Sequence, residues 1–157
     1  MRVGIGYDIH RVDPSRKLML GGVEIPGGPG LLGHSDGDVL LHAIADALLG
    51  AMGEADLGEL FPSADERYKN YESRRFIEDI YARLVQAGFR IVNVDAIVIA
   101  EAPTLLPHKR AMIDNIQLLL RLQARQVHVK AKTNDGLDAV GRKEAIAAYA
   151  VALIDAP

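Results

Sequence analysis

The chain opens on Val3-Gly4-Ile5-Gly6-Tyr7-Asp8-Ile9-His10, an apolar, β-prone run that predicts a strand over residues 2–9. Lys17-Leu18-Met19-Leu20 and Val23-Glu24-Ile25 flank Gly21-Gly22, a dipeptide that signals a hairpin. The turn-rich Pro26-Gly27-Gly28-Pro29-Gly30 that follows is expected to be an exposed loop. The period then changes. Leu40, Leu41, Ile44, Leu48 and Leu49 recur at helical spacing behind Asp36 or Asp38 as cap, predicting a helix to about residue 52. Residues 55–67, broken by Gly58 and Pro62, read as irregular. A second helix is expected with Ser73 as cap, Phe76, Ile77, Ile80, Leu84 and Val85 as apolar stripe, and Gly88 at its end.

Residues 89–100, rich in Val and Ile, form the clearest strand. Pro107 opens a third helix through Met112, Ile113, Ile116, Leu119 and Leu120, and residues 127–133 are another strand. Residues 145–154 are ambiguous: their alanines favour a helix, while their length and apolar run also suit a buried strand. Strands interleaved with helices predict an α/β or α+β domain around one sheet.

Composition narrows the picture without choosing a function. The 157 residues suit one domain with a core able to fold unaided. The absence of cysteine excludes disulfides and thiolate metal sites. A net charge of −3 gives no general pull toward nucleic acid or an anionic membrane. No apolar run approaches the ~20 residues of a membrane span, and the strand pattern begins with no signal peptide ahead of it. A cytoplasmic protein is expected.

The candidate chemistry sits at the first strand and the first helix. Asp8 and His10 are two residues apart and project from one face of an extended strand. If the helix carrying His42 packs on that strand, two imidazoles and one carboxylate converge, leaving an open fourth position as in catalytic zinc sites. The plainer reading is a core histidine and a strand end. His34 and Ser35 precede a helix start, where free amides favour an anion; a loop histidine with a capping serine is the alternative. Asp38, His42 and Asp46 form an i, i+4, i+8 ladder in which either carboxylate could orient His42, or both could be surface charges.

Lys130-Ala131-Lys132-Thr133-Asn134-Asp135-Gly136 ends a strand, where open sheets bind ligands. Its lysines and threonine suit phosphates and Asp135 suits a hard divalent ion, against the default of a loop with surface lysines. The proline-bounded stretch Ala100-Glu101-Ala102-Pro103-Thr104-Leu105-Leu106-Pro107 could cradle a base or be a connection only.

Taken together, these stretches resemble the 2-C-methyl-D-erythritol 2,4-cyclodiphosphate synthase family. The matching residues run in family order: Gly6-Tyr7-Asp8-Ile9-His10, Gly21-Gly22-Val23-Glu24-Ile25-Pro26, Leu31 through Asp38 to His42, Asp46-Ala47-Leu48-Leu49-Gly50, Asp56-Leu57-Gly58 and Phe61-Pro62. They continue with Asn93-Val94-Asp95, Ala102-Pro103, Leu106-Pro107-His108, Val129 to Asn134 and Gly141-Arg142, covering nearly the whole chain.

The resemblance implies a compact α+β homotrimer with a ferredoxin-like, split βαβ sheet, helices on one face and active sites at subunit interfaces. By analogy, residues 145–154 are a strand. It implies one catalytic domain, a phosphorus–oxygen lyase of the non-mevalonate isoprenoid pathway. The substrate, 4-diphosphocytidyl-2-C-methyl-D-erythritol 2-phosphate, closes to the cyclic diphosphate and releases CMP. Carried over by position, Asp8, His10 and His42 bind zinc, and Asp135 stands where the family has a Glu holding magnesium or manganese. His34 and Thr133 match the transition-state stabilisers. Substrate contacts are implied at Asp8, Ile9, His10, His34, Ser35, Asp56, Leu57 and Gly58, and along the loop Phe61, Pro62, Ser63, Ala64 and Asp65. The cytidine end is expected at Ala100, Glu101, Ala102, Pro103, Thr104, Leu105 and Leu106, with Lys132, Thr133, Asn134 and Asp135 nearby. Ala139 and Arg142 are assigned to a cavity on the trimer axis where an isoprenoid diphosphate can bind.

The sequence departs from the family pattern at Ser63, Thr104, Ala139, Asp135 and Lys143-Glu144-Ala145, none of them a zinc ligand. Two rival readings remain at this stage: a non-catalytic binder of isoprenoid diphosphates or nucleotides, and a zinc phosphohydrolase on the same scaffold.

Overall fold

A computed structural model of the chain describes residues 1–68 and 71–156. Its strands are β1 (Arg2–Leu20), β2 (Val23–Leu31), β3 (Arg90–Ile99), β4 (Val127–Lys132) and β5 (Ala145–Asp155). Its helices are α1 (Val39–Met52), α2 (Leu57–Leu60), α3 (Ser73–Gln86), α4 (Lys109–Leu119) and α5 (Asp138–Gly141). The strands form one mixed sheet in the order β2-β1-β5-β3-β4, giving an α+β fold.

The two expected early strands are one bent strand. The first half of β1 pairs antiparallel with β5, from Arg2↔Ile154 to Arg11↔Ala145, and its second half pairs with β2, from Val12↔Leu31 to Leu20↔Val23. The register slips between Asp13 and Leu18, where the Asp13 carboxylate accepts the Ser15 amide and hydroxyl and turns the backbone locally. Gly21 and Gly22 both take positive φ, the left-handed pair that a two-residue hairpin demands. The stretch 26–30, expected as an exposed loop, lies instead within β2, with Pro29 opposite Lys17 and Gly30 buried opposite Asp13. β2 is the edge strand, where prolines cost no ladder hydrogen bond.

The ambiguity at 145–154 resolves to a strand. Ile146, Ala148, Ala150, Ala152 and Ile154 are buried on one side of β5, whereas Tyr149 and Val151 are exposed on the other. From Ala148 onward this alternation overrides alanine's helical preference. β5 lies between β1 and β3 and runs antiparallel to both, so β1, α1, α3 and β3 make the expected split βαβ unit. The second half departs from a ferredoxin-like path: α4 joins β3 to an adjacent parallel β4, with no strand inserted between them.

Small residues bring α1 down onto the sheet. Gly4 and Gly6 face the helix backbone at Ala47 and Ala43, and α3 packs on the helix from beside it. α1 is therefore buried nearly all round. The opposite face of the sheet presents Val3, Ile5, Tyr7, Ile9, Tyr149 and Val151 uncovered. Among the described residues, no helix is long and apolar enough to cross a membrane.

Candidate metal centre and active-site cleft

In β1 the even-numbered Gly4, Gly6, Asp8 and His10 share the face that α1 covers, so the close glycine–helix approach carries His42 to Asp8 and His10. Asp8 Oδ2 lies 2.8 Å from His10 Nε2 and 3.0 Å from His42 Nδ1, and the two ring nitrogens are 3.3 Å apart. Among the described residues, this is the group of three or more His, Asp or Glu able to hold a metal ion. One carboxylate oxygen and two imidazole nitrogens, with space on the cleft side, are a donor set that suits a zinc ion with an open position.

The outer atoms of the trio are also engaged. Ile9 donates its amide to Asp8 Oδ1 at 2.9 Å. His10 Nδ1 lies 2.6 Å from the Leu32 carbonyl oxygen, which accepts its proton and leaves Nε2 free as a ligand. His42 Nε2 lies 2.9 Å from Ser73 Oγ and 3.3 Å from Ser35 Oγ. Burial opposes charge on Asp8, but hydrogen bonds from His10 and His42 outweigh it and hold its carboxyl well below the usual range. Burial likewise opposes charge on His10, and the bond to Asp8 reverses this and raises its pKa.

The carboxylates expected beside His42 are engaged elsewhere. Asp38 is fully buried and caps α1, accepting Leu41 N, Gly21 N and Gly22 N at 3.0, 2.9 and 2.6 Å. Asp46 accepts Leu57 N at 2.8 Å and so anchors the start of α2. Asp36 fills the orienting position: it receives both the amide and the hydroxyl of Ser73. Ser73 is accordingly not the cap of α3; Glu72 precedes the helix without a side-chain capping bond, and the Ser73 side chain turns inward.

A cleft of about 220 Å³ opens beside the trio, lined by His10, His34, Ser35 and His42 on one side. Leu57, Gly58, Phe61 and Ser63 line another side, as the sequence suggested. Tyr68 and Phe76 complete it and were not foreseen; Phe61, Tyr68 and Phe76 stack as an aromatic wall, with centroids 4.9 to 6.3 Å apart. Asp56, Pro62, Ala64 and Asp65 stand outside the lining: Asp56 caps α2 at Glu59 N, and Asp65 pairs with Arg67. Arg16, also unforeseen, fixes the loop before α1 by donating to the Gly33 and Ser35 carbonyls. It lies between the two stretches expected as strands, 2–9 and 17–20, and no motif in the sequence points to it.

A second cleft, about 200 Å³, lies past the ends of β3 and β4. Ala100, Glu101, Pro103, Thr104, Leu105, Leu106, Ala131, Lys132 and Thr133 line it, whereas Ala102 and Asn134 are not part of the lining. Glu101 accepts the Asn134 amide at 3.1 Å, tying the two loops together. Asp135 is exposed in a left-handed turn and is not part of the metal-ligand trio. The two clefts share no residue. Ile9, Arg11, Ala139 and Lys143 line a third cavity of about 510 Å³ on the uncovered side of the sheet, and Arg142 is not part of that lining. Arg142 is held by Glu144 through Nε and Nη2 at 3.0 and 3.1 Å.

Known proteins match this chain along nearly its whole length. The sequence model of the YgbB family matches residues 1–155. The chain is 51% identical over 155 residues to the 2-C-methyl-D-erythritol 2,4-cyclodiphosphate synthase of Syntrophomonas wolfei, covering 99% of both. It is 53% identical over 154 residues to that of Dechloromonas aromatica, covering 98% of the chain and 96% of the relative. A solved structure of such a synthase in its CDP-bound form superposes with a TM-score of 0.89 at 39% identity, covering 98% of this chain and all of that one. The bifunctional IspDF of Campylobacter jejuni superposes at 0.93 and 40% identity; this chain covers 42% of that longer protein. The chain therefore belongs to the YgbB family and groups there with the proteins named 2-C-methyl-D-erythritol 2,4-cyclodiphosphate synthase.

Proposed function

We propose that the chain converts 4-diphosphocytidyl-2-C-methyl-D-erythritol 2-phosphate to 2-C-methyl-D-erythritol 2,4-cyclodiphosphate and CMP, as a phosphorus–oxygen lyase of the non-mevalonate route to isoprenoid precursors. The observation that carries this reading is the Asp8–His10–His42 trio opening onto a cleft flanked by His34 and Ser35. In the reaction a 2-phosphate oxygen attacks the β-phosphorus of the diphosphate. That new bond closes the ring as the β-phosphorus parts from the bridging oxygen, which leaves with CMP.

The nucleophile is already an anion, so the protein needs no strong base. Its task is to hold two negative phosphates together and orient one flexible molecule. Fixing both ends makes closure effectively unimolecular, worth roughly 7–11 kcal/mol in favourable cases. Zinc held by Asp8, His10 and His42, with magnesium or manganese held by Asp135 and the substrate diphosphate, would supply the positive charge that offsets the repulsion. His34, exposed at the cleft mouth, is proposed to stabilise the transition state together with Thr133. The aromatic wall of Phe61, Tyr68 and Phe76 excludes water from the erythritol side. The loop from residue 100 to 106, with Lys132, holds the cytidine.

His34 and Thr133 line different clefts of one chain. One substrate touching both is proposed to bind where clefts of neighbouring subunits meet, in a homotrimer closed through the uncovered apolar face of the sheet. Each subunit is then one catalytic domain in the cytoplasm. The cavity beside Ile9 and Ala139 falls toward the trimer axis in that assembly, a place for an isoprenoid diphosphate near Arg11, Lys143 and Arg142.

The test is turnover of the cytidyl substrate followed by phosphorus NMR. The reading expects CMP together with a cyclic diphosphate. A linear product identifies a hydrolase and no release identifies a binder, and either result overturns it. His42→Ala is expected to lose metal and turnover together.

A further inference from the structure

Beneath His42 lies a buried polar chain that the reaction scheme does not use. Ser73 is 0% exposed, and its hydroxyl stands 2.9 Å from His42 Nε2 while bonded on its other side to Asp36 Oδ1. Asp36 Oδ2 takes the Ser73 amide at 3.1 Å, and Asp36 Oδ1 also takes the Asp38 amide at 3.2 Å. Ser35 completes the cluster at 3.3 Å from Nε2, its own oxygen receiving the Gly37 amide at 3.1 Å.

Counting protons fixes the direction of this chain. A carboxylate only accepts, so the single proton of the Ser73 hydroxyl goes to Asp36. The Ser73 oxygen can then only accept from His42, which requires the imidazole proton on Nε2. With Nε2 protonated, the lone pair is on Nδ1, the atom that lies between Asp8 and His10. The opposite tautomer would set two lone pairs against each other across the 2.9 Å between Ser73 Oγ and His42 Nε2, or turn the Ser73 proton onto Nε2 and strip Asp36 of its closest donor.

We propose that Ser73 is a positioning residue for the metal ligand His42, gripped by Asp36 so that it selects the tautomer and ring angle presenting Nδ1. This rests on the metal-centre reading above and extends it to two residues that touch neither metal nor substrate. It also explains why a serine at the start of a helix gives up capping: its hydroxyl is committed inward. Outer partners of this kind typically change metal affinity 10–100-fold when removed.

The test measures zinc affinity of the purified protein by competition with a chromophoric chelator. Ser73→Ala is expected to weaken zinc roughly 10–100-fold, Asp36→Asn to act in the same direction, and Ser73→Thr to recover most of the affinity. In the zinc-loaded unmodified protein, nitrogen-correlated NMR should show His42 ligated through Nδ1 with an Nε2 proton protected from exchange. The cobalt(II) visible spectrum should shift in Ser73→Ala and return in Ser73→Thr. An affinity within threefold of the parent in a folded Ser73→Ala, or an Nε2 proton in free exchange with water, overturns the proposal. His42→Ala separates the two levels: if it keeps zinc, the metal centre itself is wrong, whereas zinc lost there but kept in Ser73→Ala rejects only the role of Ser73.

Discussion

Gly6 runs so close beneath α1 that a Cβ placed on it would stand 1.9 Å from the carbonyl oxygen of Ala43. Gly4 meets Ala47 in the same way, also at 1.9 Å. These contacts are backbone against backbone, so nothing can rotate aside. They set the height of α1 above β1, and with it the reach of His42 to a strand residue two positions beyond Gly6.

Gly6→Ala is therefore expected to force the helix off the sheet, costing at least about 3 kcal/mol and carrying His42 away from Asp8 and His10. Urea unfolding with metal analysis reads both effects. Gly50 on the same helix is the control, because a Cβ there meets nothing closer than 4.0 Å. Gly50→Ala should leave metal content unchanged and gain roughly 0.5–1 kcal/mol from helix propensity. Equal effects at the two sites would refute the packing argument.

Asp38 joins the hairpin to the helix and supports a second prediction. Burial raises its pKa, while its three partners, Gly22, Leu41 and Gly21, are all backbone N–H donors that oppose the rise. Asp38→Asn turns an amide NH₂ toward at least one of those donors. The lost bond and the unpaired buried N–H should destabilise the fold by about 1–3 kcal/mol. An unchanged denaturation midpoint would mean that the carboxylate does not hold the Gly21-Gly22 turn to α1.

Much of this was readable in the sequence, for physical reasons that also mark where reading stopped. Asp8 and His10 obey strand parity, and the apolar spacing around His42 obeys helical parity, so the metal trio followed from two local rules and one packing contact. Residues 26–30 were misread because glycine and proline signal turns locally, whereas an edge strand tolerates both. Asp38 and Asp46 were natural partners for His42 by helical spacing, yet backbone amides of the hairpin and of α2 claimed them. The partnership that replaced them joins Asp36 to Ser73 across 37 residues. No local pattern carries a contact of that range, and Ser73 before an apolar stripe gives the same signal as an ordinary cap.

Removing the metal should expose opposing pH dependences. In the metal-free protein, burial lowers the His10 pKa but the hydrogen bond that its ring donates to Asp8 outweighs it, leaving the value above the ordinary 6.5. A raised value means that the folded state holds this proton more tightly than the unfolded chain. That stabilisation is complete below about pH 6.5 and is lost as pH rises through the raised value. Asp8, held below its usual range, is ionised across this window and adds no slope. Metal binding has the opposite sign, because the ligand nitrogen must be free of its proton. The Tm gap between metal-loaded and metal-stripped protein should therefore widen from about pH 6 to about pH 8. A gap that stays level or narrows over that range contradicts histidine ligation.

The uncovered face of the sheet supplies the last prediction. Ile5 is 70% exposed and stands between Val3 and Tyr7 on the strand, with Tyr149 and Val151 on neighbouring β5. Its side chain points away from Asp8 and His10, which occupy the opposite face of β1. An apolar patch of this kind is costly to leave in water. In a trimer it would be buried three times over. Ile5→Asp places a charge where the proposed subunits meet, and burying an unpaired carboxylate costs far more than one interface contact returns. The variant is expected to run as a monomer in light scattering, to keep its bound metal, and to lose at least about 100-fold in turnover, a barrier increase of about 2.7 kcal/mol. The loss follows if the cleft holding Thr133 must come from a neighbour. A parent protein that scatters as a monomer, or a monomeric variant with full activity, would show that each chain builds its whole site alone.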